Sequence, residues 1–205
     1  MRFHKWHDSY TLRARKEGFP ARSVYKLAEI QERFKIIGKG ARVVDLGCFP
    51  GSWLLFASKA VGSSGKVIGV DLKPVSISLP ANVRSVCGDI LKWDQRAMEE
   101  HLEGRFDVVL SDMAPSCTGT KFVDVQRSLE LCRRALWVSE QVLRVGGALV
   151  CKVFQGTDLR EFDNEVKGVF SRISHIRPKS TRKGSKEIYV VGLEKKRPNE
   201  QRISS

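Results

Sequence analysis

The sequence predicts an α/β fold: a doubly wound, mostly parallel sheet with a C-terminal antiparallel hairpin. Three observations carry that reading. Short apolar runs rich in Val, Ile and Leu alternate with helix-period segments through the middle of the chain. A glycine-containing turn links the first such run to the first of those helices. Two last apolar runs, joined by a basic segment instead of a helix, close the pattern. At 205 residues the chain suits one domain of this kind, divided into a basic N-terminal extension and helix (1–42), a core (43–193) and a polar tail (196–205).

Taken in order, Pro20 opens a helical stretch in which Val24, Leu27, Ile30 and Phe34 share one face. Val43–Leu46 is the first strand, and Ser52–Val61 the helix after its turn. Val67–Leu72 and Val83–Cys87 are the second and third strands, and Phe106–Ser111 the fourth. A long helical pattern over about Val125–Val145 stops at Gly146-Gly147, before a fifth strand at Ala148–Phe154. A helix over Leu159–Phe170 leads to the closing pair, Ile173–Arg177 and Ile188–Leu193. Lys196–Ser205 is polar and reads as a frayed tail.

Composition narrows the function. With 41% hydrophobic and 29% charged residues there is material for a core, which excludes wholesale disorder. No apolar run approaches the ~20 residues of a membrane span, so a cytoplasmic protein without a membrane partner is expected. The five cysteines form no CxxC pair and the four histidines no HExxH. The cysteines read as reduced and mostly buried, and no metal site is expected. The net charge of +13 is unevenly placed. Residues 1–42 carry 11 Lys/Arg against 4 Asp/Glu, and residues 171–205 carry 10 against 3, whereas 43–170 has a net of −1. Two basic ends that met in space would form one surface for a polyanion; general solubility is the competing explanation. The Arg-rich opening also suits a targeting peptide, but Asp8 and Glu17 interrupt that pattern.

The turn Asp45-Leu46-Gly47-Cys48-Phe49-Pro50-Gly51-Ser52-Trp53 follows a strand and opens a helix. It lacks GxGxxG, so the cradle for a dinucleotide pyrophosphate is poorly supported. Asp71, 20 residues past Gly51, is placed to accept from both hydroxyls of a ribose and would repel a phosphate. Asp89, after the third strand, is placed to accept from an adenine amino group. A nucleoside without phosphates fits, and S-adenosylmethionine is the obvious one. Trp53 reads equally as a core anchor or as a wall of the cofactor loop.

Lys152 is the oddity on the other side, a charge inside the apolar run Ala148–Phe154. It needs an exposed strand end or an acidic partner. Asp112, at the end of the preceding strand, is within reach if the two strands are neighbours. A stabilising ion pair is the structural alternative to a catalytic one.

The chain resembles the FtsJ/RrmJ family of ribosomal RNA 2′-O-methyltransferases. The resemblance covers about residues 8–193 and rests on Ala21–Leu27, the Asp45–Trp53 turn, Ser111–Pro115 with Gly119-Thr120, Lys152-Val153-Phe154-Gln155-Gly156, and Ser185–Tyr189. It implies a Rossmann-like S-adenosylmethionine-dependent methyltransferase with a catalytic tetrad at Lys26, Asp112, Lys152 and Glu187. It also implies cofactor contacts at Gly51, Trp53, Asp71, Asp89 and Asp112. Cys48-Phe49 departs from the family, which commonly has two small residues there.

The implied chemistry suits these residue types. A ribose 2′-hydroxyl is a poor nucleophile, so the site must align it with the donor methyl and remove its proton during attack. A lysine accepts a proton only when neutral, a state that desolvation and a neighbouring cation favour and carboxylates oppose. Lys152 is the expected proton acceptor, Asp112 and Glu187 its orienting partners, and Lys26 a positioner. On residue type alone, Lys26 and Glu187 read equally well as surface charges. No further RNA-binding domain is expected, so the basic ends are the expected holders of the RNA. The candidates are Arg13, Arg15, Lys16 and Arg22 at the front, and Lys179, Arg182, Lys183 and Lys186 at the back.

The resemblance implies a uridine of large-subunit ribosomal RNA in the assembled large ribosomal subunit as substrate. Transfer RNA or a messenger cap is the alternative for the same tetrad. An RNA-binding ribosome assembly factor without catalysis is the alternative from another class, and a nicotinamide dehydrogenase is disfavoured by the missing GxGxxG. A monomer is the expected state.

Overall fold

The computed structural model describes residues 9–115, 119–155 and 159–198, with the side chains of Lys121 and Phe122 outside that description. Two helices, α1 (Ser9–Lys16) and α2 (Val24–Phe34), precede the sheet. The chain then runs through β1 (Arg42–Leu46), α3 (Ser52–Val61), β2 (Lys66–Asp71), β3 (Val83–Cys87) and a 3-10 turn at Ile90–Lys92. It continues through α4 (Gln95–His101), β4 (Phe106–Ser111), α5 (Lys121–Val142), β5 (Leu143–Phe154), α6 (Leu159–Val169), β6 (Phe170–Ile176) and β7 (Glu187–Lys195).

The strands form one sheet in the order β3-β2-β1-β4-β5-β7-β6. β1 to β5 pair in parallel, and β7 is antiparallel to both β5 and β6. Strand residues are apolar on both sides because both faces are covered. Val43, Val67, Leu110, Val150 and Tyr189 pack toward α2 and α3. Val44, Ile68, Val109, Leu149 and Cys151 pack toward α4, α5 and α6. Strand order reverses between β1 and β4, so the crossovers leave on opposite faces there and a crevice opens at the strand C-termini.

Several expectations shift. The second helix begins at Val24 and not at Pro20. The N–H and carbonyl of Ala21 are both engaged by Ser52 Oγ, at 2.8 and 3.1 Å, so they are drawn to α3 and away from a helical ladder. α5 starts at Lys121 and ends at Val142, because Leu143 already pairs with Phe106 in the sheet and Lys195 Nζ caps the carbonyls of Glu140 and Leu143. α1 and α4 announce themselves weakly in the sequence, burying only Ala14 and Met98 respectively. Cys48, Cys132 and Cys151 are buried and free as expected, whereas Cys87 is exposed. Lys196, expected as the first frayed residue, is tied down by its N–H to Val169 O at 2.9 Å and its ammonium to Lys167 O at 2.7 Å. Cys117, Gly156 and residues 199–205 lie outside the described residues. Among the described residues no helix is long and apolar enough to cross a membrane.

Candidate active site

A cavity of about 330 Å³ occupies the crevice, bounded by Gly47, Asp71, Gly88, Asp89, Asp112 and Met113 among others. Gly47 has φ of +78°, and a Cβ there would lie 2.9 Å from the Met113 backbone nitrogen, so this turn admits only glycine. Asp71 ends β2 with both oxygens anchored: Phe49 N–H donates to one and Lys73 N–H to the other, each at 2.9 Å. Asp89 accepts from Leu91 N–H at 3.1 Å and so faces the cavity from a fixed position. Gly51 and Trp53 are not among the residues that line it. Gly51, at φ +107°, caps α3 against Ile77. Trp53 is 3% exposed, donates from Nε1 to Ser23 O at 2.8 Å, and packs on Tyr189. Of its two readings, core anchor describes its position.

Sequence reading missed the cavity's apolar mouth. Phe49, Leu72 and Leu91 are exposed there, and Lys73 lies over the Phe49 ring at 5.4 Å. The available signal was an apolar residue immediately after Asp71 and one soon after Asp89.

The cavity wall is rich in carboxylates. Asp71, Asp89 and Asp112 line it with the cation Lys73, while Lys92 lies 3.7 Å from Asp89 and Lys152 lies 3.1 Å from Asp112. Beneath them Asp45 is fully buried, and neither carboxylate oxygen has a hydrogen-bond partner. Burial, then repulsion from Asp112 and Asp71, hold its pKa well above the ordinary 3.8. Such a site favours an uncharged or cationic nucleoside over a phosphate.

Lys152 projects from β5 on the face shared with Tyr189, its register partner on β7. It is 8% exposed, donates to Asp112 O at 2.6 Å, and lies 3.1 Å from Asp112 Oδ1. Tyr189 Oη donates to the same Oδ1 at 2.7 Å. Burial first, then the Asp112 charge, push the Tyr189 pKa far up, which keeps it a neutral donor. Glu187 is two residues from Tyr189 along β7, diagonal to Lys152 on the same face, and pairs with Lys26 of α2. The four residues therefore gather as two adjacent ion pairs, with Tyr189 as a fifth member that its apolar strand context concealed.

On the far side of these pairs lies a second cleft of about 340 Å³, bounded by Arg22, Lys26, Ser180, Arg182, Ser185 and Glu187. The basic ends do meet here. Glu29 of α2 accepts from the N–H groups of Lys179 and Ser180 at 2.6 and 2.9 Å, and Arg22 donates to Ser180 O. Burial and the neighbouring Arg182 charge lower the Arg22 pKa, a sign of positive charge gathered in a confined space. Arg15, Lys16, Lys179, Arg182, Lys183 and Lys186 are exposed around this region and on α1. Arg13 pairs with Glu17 at 2.7 Å and lies over the Tyr25 ring.

Residues 19–195 match the FtsJ-like methyltransferase family. The chain belongs to that family. This FtsJ-like methyltransferase is 50% identical over 192 residues to the ribosomal RNA large subunit methyltransferase E of Desulforapulum autotrophicum, with 94% of each chain covered. It is 51% identical over 191 residues to the protein of the same name from Desulfatibacillum aliphaticivorans, covering 93% of this chain and 92% of that one. Its fold matches the crystal structure of a ribosomal RNA methyltransferase from Plasmodium falciparum with a TM-score of 0.75 and 28% identity, over 86% of this chain and 98% of that one. The enzyme is thus a methyltransferase, and a methyl donor is its cofactor.

Proposed function

We propose that the enzyme transfers the methyl group of S-adenosylmethionine to a ribose 2′-hydroxyl of large-subunit ribosomal RNA, at a uridine in the assembled subunit. The observation that carries this reading is the place of the Lys152–Asp112 and Lys26–Glu187 pairs between two cavities of opposite character. The carboxylate-lined one suits a nucleoside bearing a cationic sulfonium. The Arg-lined one suits a polyanion. Ser180 borders the second, its Oγ buried without a protein partner. The names of the relatives supply the RNA.

Asp71 would hold the ribose diol of the cofactor and Asp89 its adenine amino group, while Gly47 lets the turn close on Met113 at the same wall. Bound S-adenosylmethionine supplies an electrophilic methyl on sulfur. Lys26 and Glu187 orient the acceptor ribose, and Asp112 and Tyr189 fix the direction of Lys152 Nζ. Lys152 Nζ would first give the proton of its Asp112-paired ammonium form to solvent, and would then take up the hydroxyl proton as the 2′-oxygen acquires the methyl. S-adenosylhomocysteine and a 2′-O-methylated RNA leave. On this reading the protein acts in the cytoplasm, with the ribosomal subunit as its partner.

Labelled methyl transfer to undermethylated large subunits, free ribosomal RNA and transfer RNA tests the assignment. Incorporation into ribosomal material is expected. Labelling of transfer RNA alone would keep the reaction and overturn the substrate.

A further inference from the structure

A larger cleft, about 760 Å³, lies at the opposite end of the sheet from Lys152, where β2 and β3 begin. Its wall is cationic: Lys59, Lys66 and Arg84 line it, and among the described residues no carboxylate does. Lys39 stands beside it, its ammonium 3.5 Å from Lys59 O. The floor is hydrogen-bonded, with Ser58 Oγ 2.7 Å from Asn82 Oδ1 and Asn82 Nδ2 donating to Gly62 O at 2.9 Å. Arg84 is held by His101 O, which fixes the guanidinium and leaves its charge uncompensated by a carboxylate at that contact.

The sequence hides this charge, because residues 43–170 sum to nearly zero. The fold sorts these groups by place. Asp45, Asp71, Asp89 and Asp112 gather at the C-terminal ends of the strands, whereas Lys59, Lys66 and Arg84 lie at the other end. A run of cations and aromatic rings leads from the acceptor cleft toward the far one. Arg22 lies over Tyr10 at 5.0 Å, Tyr10 packs on Tyr25 at 5.5 Å, and Arg13 covers Tyr25 at 4.9 Å. Lys59, on the rim of the far cleft, lies over Phe19 at 4.5 Å. Glu17 sits among them, paired with Arg13 and accepting from Tyr25 Oη at 3.0 Å, and Tyr25 is 9% exposed, so the outer cations of this run, not its rings, suit a sugar–phosphate strand.

We propose that this far cleft is a second docking site for the RNA, in which Lys39, Lys59, Lys66 and Arg84 hold the sugar–phosphate backbone at a distance from the methylated ribose. The proposal rests on the RNA reading above and extends it to a surface remote from the chemistry. Phosphate contacts there carry no sequence information. They add affinity, steepen the salt dependence and orient the enzyme on a large substrate.

The test compares the wild type with the triple variant Lys59→Gln, Lys66→Gln, Arg84→Gln on a structured large-subunit RNA fragment. Binding is followed across a salt series, with KM, kcat, cofactor affinity and thermal melting measured alongside. The expected variant melts within a few degrees of the wild type, keeps kcat and cofactor affinity, raises KM at least tenfold, and loses about 2–3 from the slope of log K against log salt, since each of the three phosphate contacts contributes roughly 0.7–0.9. A Lys59→Arg, Lys66→Arg variant keeps the wild-type slope. An unchanged slope and KM in the triple variant overturns the proposal, as does loss of binding to an acidic ribosomal protein with RNA binding intact. A wild type that methylates no RNA overturns the function itself, a result distinct from failure of the cleft.

Discussion

Tyr189 Oη donates to Asp112 Oδ1 at 2.7 Å, the oxygen that also faces Lys152 Nζ at 3.1 Å. One carboxylate oxygen thus takes two donors from neighbouring strands, and a buried phenol shares the task of aiming the lysine. Removing that phenol frees Asp112 to rotate without emptying the cofactor cavity. Tyr189→Phe is expected to keep its fold and cofactor affinity and to lose about tenfold in kcat, the equivalent of about 1.4 kcal/mol for one hydrogen bond to a charged group. Steady-state kinetics with calorimetric cofactor binding checks this.

Asp45 is a carboxyl buried with no partner, and its pKa is raised by burial and by Asp112 and Asp71. In the unfolded chain it ionises near 3.8, whereas the folded protein keeps the proton to higher pH. Between those points the native state binds more protons than the unfolded one, so this group's contribution to stability falls as pH rises. Asp45→Asn removes the ionisation. In the cofactor-free protein, its melting temperature is expected to exceed the wild type's at pH 7 and to converge with it toward about pH 4. Melting curves across that range decide it, and parallel curves would contradict the assignment.

Glu29 joins the two basic ends, accepting from Lys179 and Ser180 across a separation of 150 residues or more. Glu29→Ala leaves two backbone donors to solvent and loosens the connection between β6 and β7. A cost of about 1 kcal/mol in stability is expected, a lowering of melting temperature by roughly 2–4 °C for a chain of this size. The RNA KM should rise while cofactor affinity holds.

Arg134 of α5 donates to the carbonyls of Ile90 and Trp93 and stacks at 4.0 Å on Trp137, which fixes the loop carrying Asp89. Arg134→Met is expected to weaken cofactor binding about tenfold, roughly 1.4 kcal/mol, with kcat at saturating cofactor preserved. Calorimetric titration of the cofactor, paired with saturating kinetics, separates those two effects.

Much of the fold was legible because local patterns and tertiary context agree. Ser52–Val61, Val83–Cys87 and Phe106–Ser111 form at the residues where periodicity places them. The misplaced boundaries have tertiary causes: Ser52 claims Ala21, and Lys195 caps α5 from the far end of the chain. In the site, Lys152 was visible because a charge in an apolar strand demands a partner. Tyr189 was invisible as a site residue because a tyrosine in a strand looks like core, and it is core apart from its hydroxyl. The meeting of the basic ends, and the gathering of Lys59, Lys66 and Arg84 at the far end of the sheet, depend on strand order, which residue counts do not carry.

The central claim is that Lys152 accepts the proton of a ribose hydroxyl. Labelled methyl transfer from S-adenosylmethionine to undermethylated large subunits, run with wild type and Lys152→Ala, tests it most directly when cofactor binding of both is measured in parallel. Label is expected in an alkali-resistant dinucleotide with the wild type, and is expected to be lost in a variant that still binds cofactor. A Lys152→Ala enzyme that binds cofactor and turns over at the wild-type rate would contradict it.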